Sequence, residues 1–380
     1  GHYFDYLKMG SGPDYLFFRP YHLCHLETPL SVAEAVMYRE PTIAPKGGPV
    51  TEVVAIAKRD LRPGEVLDGI VDGVRIGTDW SATPPVEVWR RAVGPGWSSF
   101  AVSGDLAYTQ EQRGDEEMVT AYRLTTGEPV WRHGDHTRFW ESNAGAGPRA
   151  TPTVHGERVY ALGATGILNA LDARTGAVAW THNVATDTST GLPGWGFAGS
   201  PIILDDHVVV AVSGMLAAYD ARTGALRWSR KAAGWGYSSP HPAVIDGVPQ
   251  VILLSGGGAT SVNPRDGAVV WDYRWTGGNI VQPVLLPDGG ILVAPIDDLA
   301  SGVGTRRLAI THSEAGWRVD ERWTYTALKP SFNDLVPLGT RAFGFDGSIL
   351  SAIDLTDGSR VWKGGRYGHG QLVLLREQGL

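Results

Sequence analysis

The stretch ALDARTGAVAW at 170–180 is preceded by AYRLTTGEPVW at 121–131 and followed by AYDARTGALRW at 218–228. Looser copies read SVNPRDGAVVW at 261–271 and AIDLTDGSRVW at 352–362, and Trp323 ends a degenerate one. The closing residues Trp131, Trp180, Trp228, Trp271, Trp323 and Trp362 stand 39 to 52 residues apart, the length of one four-stranded propeller blade. Each position has a physical reason. A strand ends at Asp172, Asp220, Asn263 or Asp354, whose side chain accepts from turn amides, and the glycine supplies the positive φ that closes the hairpin. The small first residue leaves room for an indole. The tryptophan ends the outer strand as an interblade wedge, a role expected of Trp131, Trp180, Trp228, Trp271 and Trp362.

Outward from the motif, one whole blade is legible. Strands are expected at 200–204, 207–212, 215–220 and 225–228, separated by Asp205-Asp206, Ser213-Gly214 and the repeat turn. Six complete four-stranded blades fit between residues 97 and 362. VEVW at 86–89 has the ending of a repeat without its preceding strands, and residues 371–375 offer one strand of a further blade. Such an orphan outer strand is expected to complete a blade whose other strands come from the C-terminus, so that no sheet edge remains. Six blades and two orphan strands close poorly, so a parent ring of seven or eight blades, cut at the C-terminus, is expected.

Composition agrees with an all-β chain. Of 380 residues 50 are Gly and 24 Pro, too many for a helical bundle and too few for disorder. Thirty-three basic against 40 acidic residues give a formal charge of −7, which argues against a nucleic-acid partner. No apolar run approaches a membrane-spanning length; the longest, from Val208 to Tyr219, is broken by Ser213 and Gly214. Cys24 is the only cysteine and excludes an intrachain disulfide.

From about residue 74 to 380 the pattern resembles the pyrroloquinoline-quinone-type repeat propellers, whose blade signature is A-x-D-x-x-T-G-x-x-x-W. The resemblance implies two functions. One is a non-catalytic binding or assembly scaffold for a protein or a small polar or anionic ligand, as in outer-membrane assembly lipoproteins. The other is a quinone-dependent oxidoreductase, in which the quinone stacks between a tryptophan and a vicinal disulfide and a calcium ion is held by carboxylate and amide oxygens. The lone cysteine rules out that disulfide, and no cofactor is expected. A periplasmic or secreted location is favoured for the propeller.

Residues 1–70 carry no repeat and are expected to form a separate module. Thr28-Pro29 and SVAE at 31–34 supply helix-start signals, predicting a helix over 30–38, with a strand over 50–57 and a strand-turn-strand corner over 58–67. RPYHLCHLE at 19–27, APKGGP at 44–49 and AKRDLRPGEVLDGI at 57–70 resemble the SAF portion of homoserine-dehydrogenase-like oxidoreductases. That resemblance implies a cytoplasmic NAD(P)-dependent parent. Its Rossmann domain is missing, because neither GSG at 10–12 nor GAG at 145–147 extends to the dinucleotide fingerprint, so hydride transfer is not expected of this piece. His22, Cys24, His25 and Glu27 are metal-capable, but an extended chain puts them on opposite faces, and no metal is expected.

The chemistry should sit where the innermost strands open onto the channel: WSSF at 97–100, GPR at 147–149, WGFAGS at 195–200, WGYSSPH at 235–241, IVQ at 280–282, KPSFND at 329–334 and HGQ at 369–371. Arg149, Trp235, His241, Gln282, Lys329, Asn333, Asp334, His369 and Gln371 are the candidates lining this mouth, with Glu141 and Asn143 overhanging it. Glu141, Asn143, Asn333 and Asp334 are the hard oxygen donors that calcium would need. No catalytic residue is assigned. A ligand site and a merely solvated polar rim both fit these residues.

Overall fold

The structure, a computed structural model, describes strands Asp5–Lys8, Asp14–Arg19, Ala33–Arg39 and Ile70–Val71, then residues 86–380 apart from 143, 233, 297–301, 327, 331–333, 367–371, 373 and 376–380. Each blade is a four-stranded antiparallel meander in chain order and is called here by the tryptophan of its outer strand. The Trp131 blade holds Ala101–Ser103, Leu106–Arg113, Glu116–Arg123 and Pro129–Asp135. The Trp180 blade holds Thr153–His155, Arg158–Leu162, Ile167–Asp172 and Val178–Asn183. Next come the Trp228 blade, with Ile202–Leu204, His207–Ala211, Met215–Asp220 and Leu226–Lys231, and the Trp271 blade, with His241–Ile245, Val248–Ser255, Gly258–Val262 and Val269–Arg274. The Trp323 blade holds Val284–Leu285, Ile291–Val293, Thr305–Ser313 and Gly316–Tyr325, and the Trp362 blade Val336–Leu338, Arg341–Asp346, Ile349–Asp354 and Arg360–Arg366. The fold is an all-β propeller, and these are the six blades expected.

The turn chemistry is as the motif predicts. The Asp172 carboxylate accepts from the amides of Arg174 at 3.0 Å and Thr175 at 2.8 Å and from the Thr175 hydroxyl at 2.8 Å. Asp220 repeats this with Arg222 and Thr223. Gly176 has φ +72°, where other residues are strained, and a Cβ there would lie 2.5 Å from the Trp131 ring. The tryptophan is thus seated on the bare glycine of the next blade, and its Nε1 donates to the carbonyl of Ala173, three residues before that glycine, at 2.9 Å. The same seat joins Trp180 to Gly224 and Ala221, Trp228 to Gly267 and Pro264, and Trp323 to Gly358 and Leu355.

Across each outer hairpin the tryptophan pairs with the small first residue of the motif, Ala121 with Trp131, Ala170 with Trp180 and Ala218 with Trp228. The register slips by one immediately afterwards. This recurrent bulge raises the local twist of the outer strand. Each main apolar cluster is built from two adjacent blades; one joins Tyr160, Leu168 and Trp180 to Val208, Val210 and Tyr219. The core is therefore a series of interblade seams.

Four expectations need correction. The orphan strand, observed as Val86–Val93, is completed from its N-terminal side: it pairs with Ala33–Arg39, which pairs with Asp14–Arg19 and then Asp5–Lys8. Trp89 sits on Gly127 and donates to the Leu124 carbonyl at 2.7 Å, like its counterparts. Secondly, the stretch Ala33–Arg39, which overlaps the helix expected over 30–38, is a strand. AEAVMYR finds a partner on both edges, and pairing outweighs the capping signals. Thirdly, Trp271 is wedged between blades as expected, buried with Ile291, Val293 and Leu308 of the next blade, but it lacks the glycine seat: the next hairpin turns through Ser313–Gly316 without the motif, and the indole donates to Gln250 Oε1 of its own blade at 2.7 Å. Fourthly, Trp362 keeps the register opposite Ala352 but is 39% exposed, against 8% for Trp131 and Trp180. The strand expected within 371–375 is observed as Leu374–Leu375, in parallel pairing with Ile70–Val71. The expected strands at 50–67 and the His22, Cys24, His25 and Glu27 cluster lie outside the described residues.

Candidate functional site at the channel mouth

The inner-strand openings of successive blades are tied to one another. The Ser99 N–H donates to Thr151 Oγ1 at 3.0 Å, the Thr151 N–H to Ser200 Oγ at 3.0 Å, and the Ser200 N–H to Ser239 Oγ at 2.9 Å. With its amide oriented by its partners, Gln282 continues the series: its Oε1 accepts from the Ser239 N–H at 2.7 Å and its Nε2 donates to the Ser239 carbonyl at 2.9 Å. The Gln282 N–H then donates to Asp334 Oδ1 at 3.3 Å. A belt of backbone-to-side-chain hydrogen bonds thus crosses five blade junctions at equivalent positions. A lost partner in such a part-buried seam leaves a poorly solvated polar group unpaired, so the belt fixes each blade against the next. Its signal in the sequence was a Ser, Thr, Gln or Asp at each opening, which reads equally as a wet rim.

Arg149 is similarly committed. Its Nη2 donates to Glu141 Oε1 at 3.1 Å and to the Gly145 carbonyl at 2.8 Å, its Nη1 to Ala146 at 3.4 Å, and its Nε to Trp195 at 3.3 Å. The guanidinium lies 5.0 Å from the Phe139 ring centroid, a cation–π contact, and its side chain is only 6% exposed. Burial pulls its pKa down from the usual arginine value, while the Glu141 and Glu117 carboxylates push it back. Glu141, in the small hairpin Trp140–Glu141/Gly145–Ala146, also accepts from the Ala144 N–H at 2.6 Å. The pair closes a loop over the mouth and ties it to the neighbouring blade.

Of the remaining candidates, His241 opens its blade's first strand and is buried, while Lys329 is exposed. Trp235 is 43% exposed, with its ring over Gly278 and edge-on to Tyr237 at 5.8 Å. The Trp195 ring stacks on Tyr237 at 5.0 Å. The structure therefore joins Arg149 with Glu141 and Gln282 with Asp334. Asn143, Asn333, His369 and Gln371 lie outside the described residues.

The quinone-and-metal arrangement that this repeat suggests is not matched among the described residues. One cysteine cannot form the vicinal disulfide. The Glu141 carboxylate is engaged by Arg149 and its own loop, and Asp334 by the belt. No group of three or more His, Cys, Asp or Glu side chains placed to hold a metal occurs among the described residues.

Comparison with known proteins places this architecture. A search of curated protein sequences gives no match. The structure of BamB from Moraxella catarrhalis is similar at a TM-score of 0.52 and 17% identity, covering 75% of this chain and 80% of that one. A europium-containing methanol dehydrogenase is similar at a TM-score of 0.60 and 12% identity, covering 95% of this chain and 78% of that one. At such identities the likeness shows the fold alone. The family profile of the oxidoreductase DRL catalytic domain matches residues 1–28. The profile described as outer membrane protein assembly factor BamB matches residues 81–239 and again 115–286, together more than half of the chain. With its recurring tryptophan seats, the chain belongs to the repeat-propeller family that bears this description, outer membrane protein assembly factor BamB.

Proposed function

We propose that the chain is a non-catalytic binding scaffold that engages a protein partner in outer-membrane protein assembly, on the periplasmic side. The observation that carries this reading is the commitment of four of the described polar side chains: Gln282 and Asp334 hold blades together, and Arg149 and Glu141 hold a loop. Such groups build a rigid platform and are not poised to shuttle protons or hold a reacting centre. The family description supports an assembly role. The fold likeness to a methanol dehydrogenase favours quinone-dependent oxidation as a second reading, against which stand the single cysteine and the engaged carboxylates.

Two measurements on the whole chain test the proposal. Isothermal calorimetry against purified periplasmic domains of outer-membrane assembly proteins should give saturable binding. Reconstitution with quinone and calcium or europium should give no dye-linked oxidation of alcohols or sugars. Turnover above the quinone-only blank, or absence of binding to every assembly component, overturns it.

A further inference from the structure

The mouth carries an aromatic feature that neither the belt nor the Arg149 clamp uses. Trp195 and Tyr237 stack face to face at 5.0 Å with 27° between their planes, so each covers the other. Trp235 stands at 65° to Tyr237 and is backed by Gly278, where a Cβ would fall 2.7 Å from the indole Cη2. The glycine lets the ring lie against the backbone and leaves indole surface open to solvent. Beside it, the Tyr237 oxygen accepts from the Trp195 N–H at 3.3 Å, which leaves its own proton for a further acceptor. Burial, with the Glu141 charge assisting, raises the Tyr237 pKa and keeps the phenol a neutral donor.

Among the described residues beside Tyr237, the charges of Arg149 and Glu141 cancel. Arg149, bonded to the Trp195 carbonyl, is paired with Glu141 and spent on backbone carbonyls, so it is not presented to an anion. An indole face is electronegative and attracts the weakly positive C–H groups of a saturated ring, while hydroxyls around that ring meet a phenol donor. A proline-rich peptide would need grooves between parallel aromatic ridges, and the Trp195–Tyr237 stack leaves no gap. We propose that Trp235, framed by Tyr237 and Gly278, is a stacking platform for one ring of an uncharged saccharide. The site stands independently of partner binding.

Saturation-transfer NMR on the whole chain tests this with three uncharged probes: β-1,4-linked glucose, α-1,4-linked glucose and β-1,4-linked N-acetylglucosamine oligomers. At least one should show transfer concentrated on its ring C–H protons. Trp235→Ala should weaken that probe by about tenfold or more, and Trp235→Tyr, which keeps an aromatic face, by only about threefold. Gly278→Ala has no positive φ to strain; it should displace the indole and weaken binding about fivefold with the thermal midpoint nearly kept. The proposal is overturned if no probe shows transfer at millimolar concentration, if transfer survives Trp235→Ala in a folded variant, or if a uronic acid oligomer or a proline-rich peptide outcompetes every neutral sugar.

Discussion

Gly176→Ala would test whether the interblade seams are set by tryptophans resting on bare glycine backbone. Two costs are expected. The backbone at Gly176 has φ +72°, and holding an L-residue in this left-handed region costs about 1–2 kcal/mol. The new Cβ would also lie 2.5 Å from Trp131 Cε3 and 2.7 Å from Cδ2, forcing the ring off its seat and away from the Ala173 carbonyl. Partial loss of a packed indole adds about 2 kcal/mol, below the ~3–5 kcal/mol of deleting it. Gly104→Ala supplies the control: its φ is +60°, but nothing lies within 4 Å of its Cβ position, so only the backbone cost remains. Urea unfolding followed by far-UV circular dichroism should therefore give Gly176→Ala a loss about 2 kcal/mol larger than Gly104→Ala. In a Trp131→Ala background the clash is gone, and the cost of Gly176→Ala should fall to that of the control, a coupling read directly from the double-mutant cycle. Equal losses for the two glycine variants, within about 0.5 kcal/mol, would refute the seat as the origin of the motif's glycine.

Ser200→Ala removes the acceptor of the Thr151 N–H and should cost about 1–3 kcal/mol, with Ser200→Thr recovering most of it; equal thermal shifts for both variants would argue against the belt. Arg149→Ala leaves Glu141 without its buried partner and should destabilise by about 3–5 kcal/mol while speeding amide exchange through the 140–146 hairpin, and unchanged exchange there would count against the clamp. Acid should weaken the repeat turns. Arg227 and Thr223 hold the Asp220 carboxyl well below the usual aspartate range, and Thr175 lowers Asp172. A depressed folded pKa gives stability that is present above the unfolded value of about 4 and is lost as pH falls through the folded one, so the urea midpoint should drop below about pH 4. Asp220→Asn should flatten that drop, and an identical acid limb in the variant would exclude Asp220 as a source.

The eleven-residue motif by itself determined the blade. A hairpin turn is local, so Asp172, Thr175 and Gly176 carry its hydrogen bonds and its left-handed residue within five positions, and the sequence displays them. The period then placed Trp131, Trp180 and Trp228 at one seam each, because every blade presents the same glycine to the blade before it. Where the motif fades, legibility fades with it. Nothing in VEVW or in AEAVMYR announces that residues 86–93 and 33–39 pair, since that choice depends on which edge is free once the other blades have formed.

The sequence singled out candidate residues at the inner-strand openings but not their chemistry. Inner-strand openings had to converge, but a Ser, Thr, Gln or Asp at such an opening reads alike whether it meets solvent, ligand or the next blade. Only tertiary structure decided that Ser200, Ser239, Gln282 and Asp334 bond to one another in series and that Arg149 is consumed by Glu141. The reason is range for the belt, whose partners Ser200 and Ser239 lie 39 residues apart and Gln282 and Asp334 52 apart, and the direction of each polar side chain there is fixed by the approach of the adjacent blade, which no local pattern encodes.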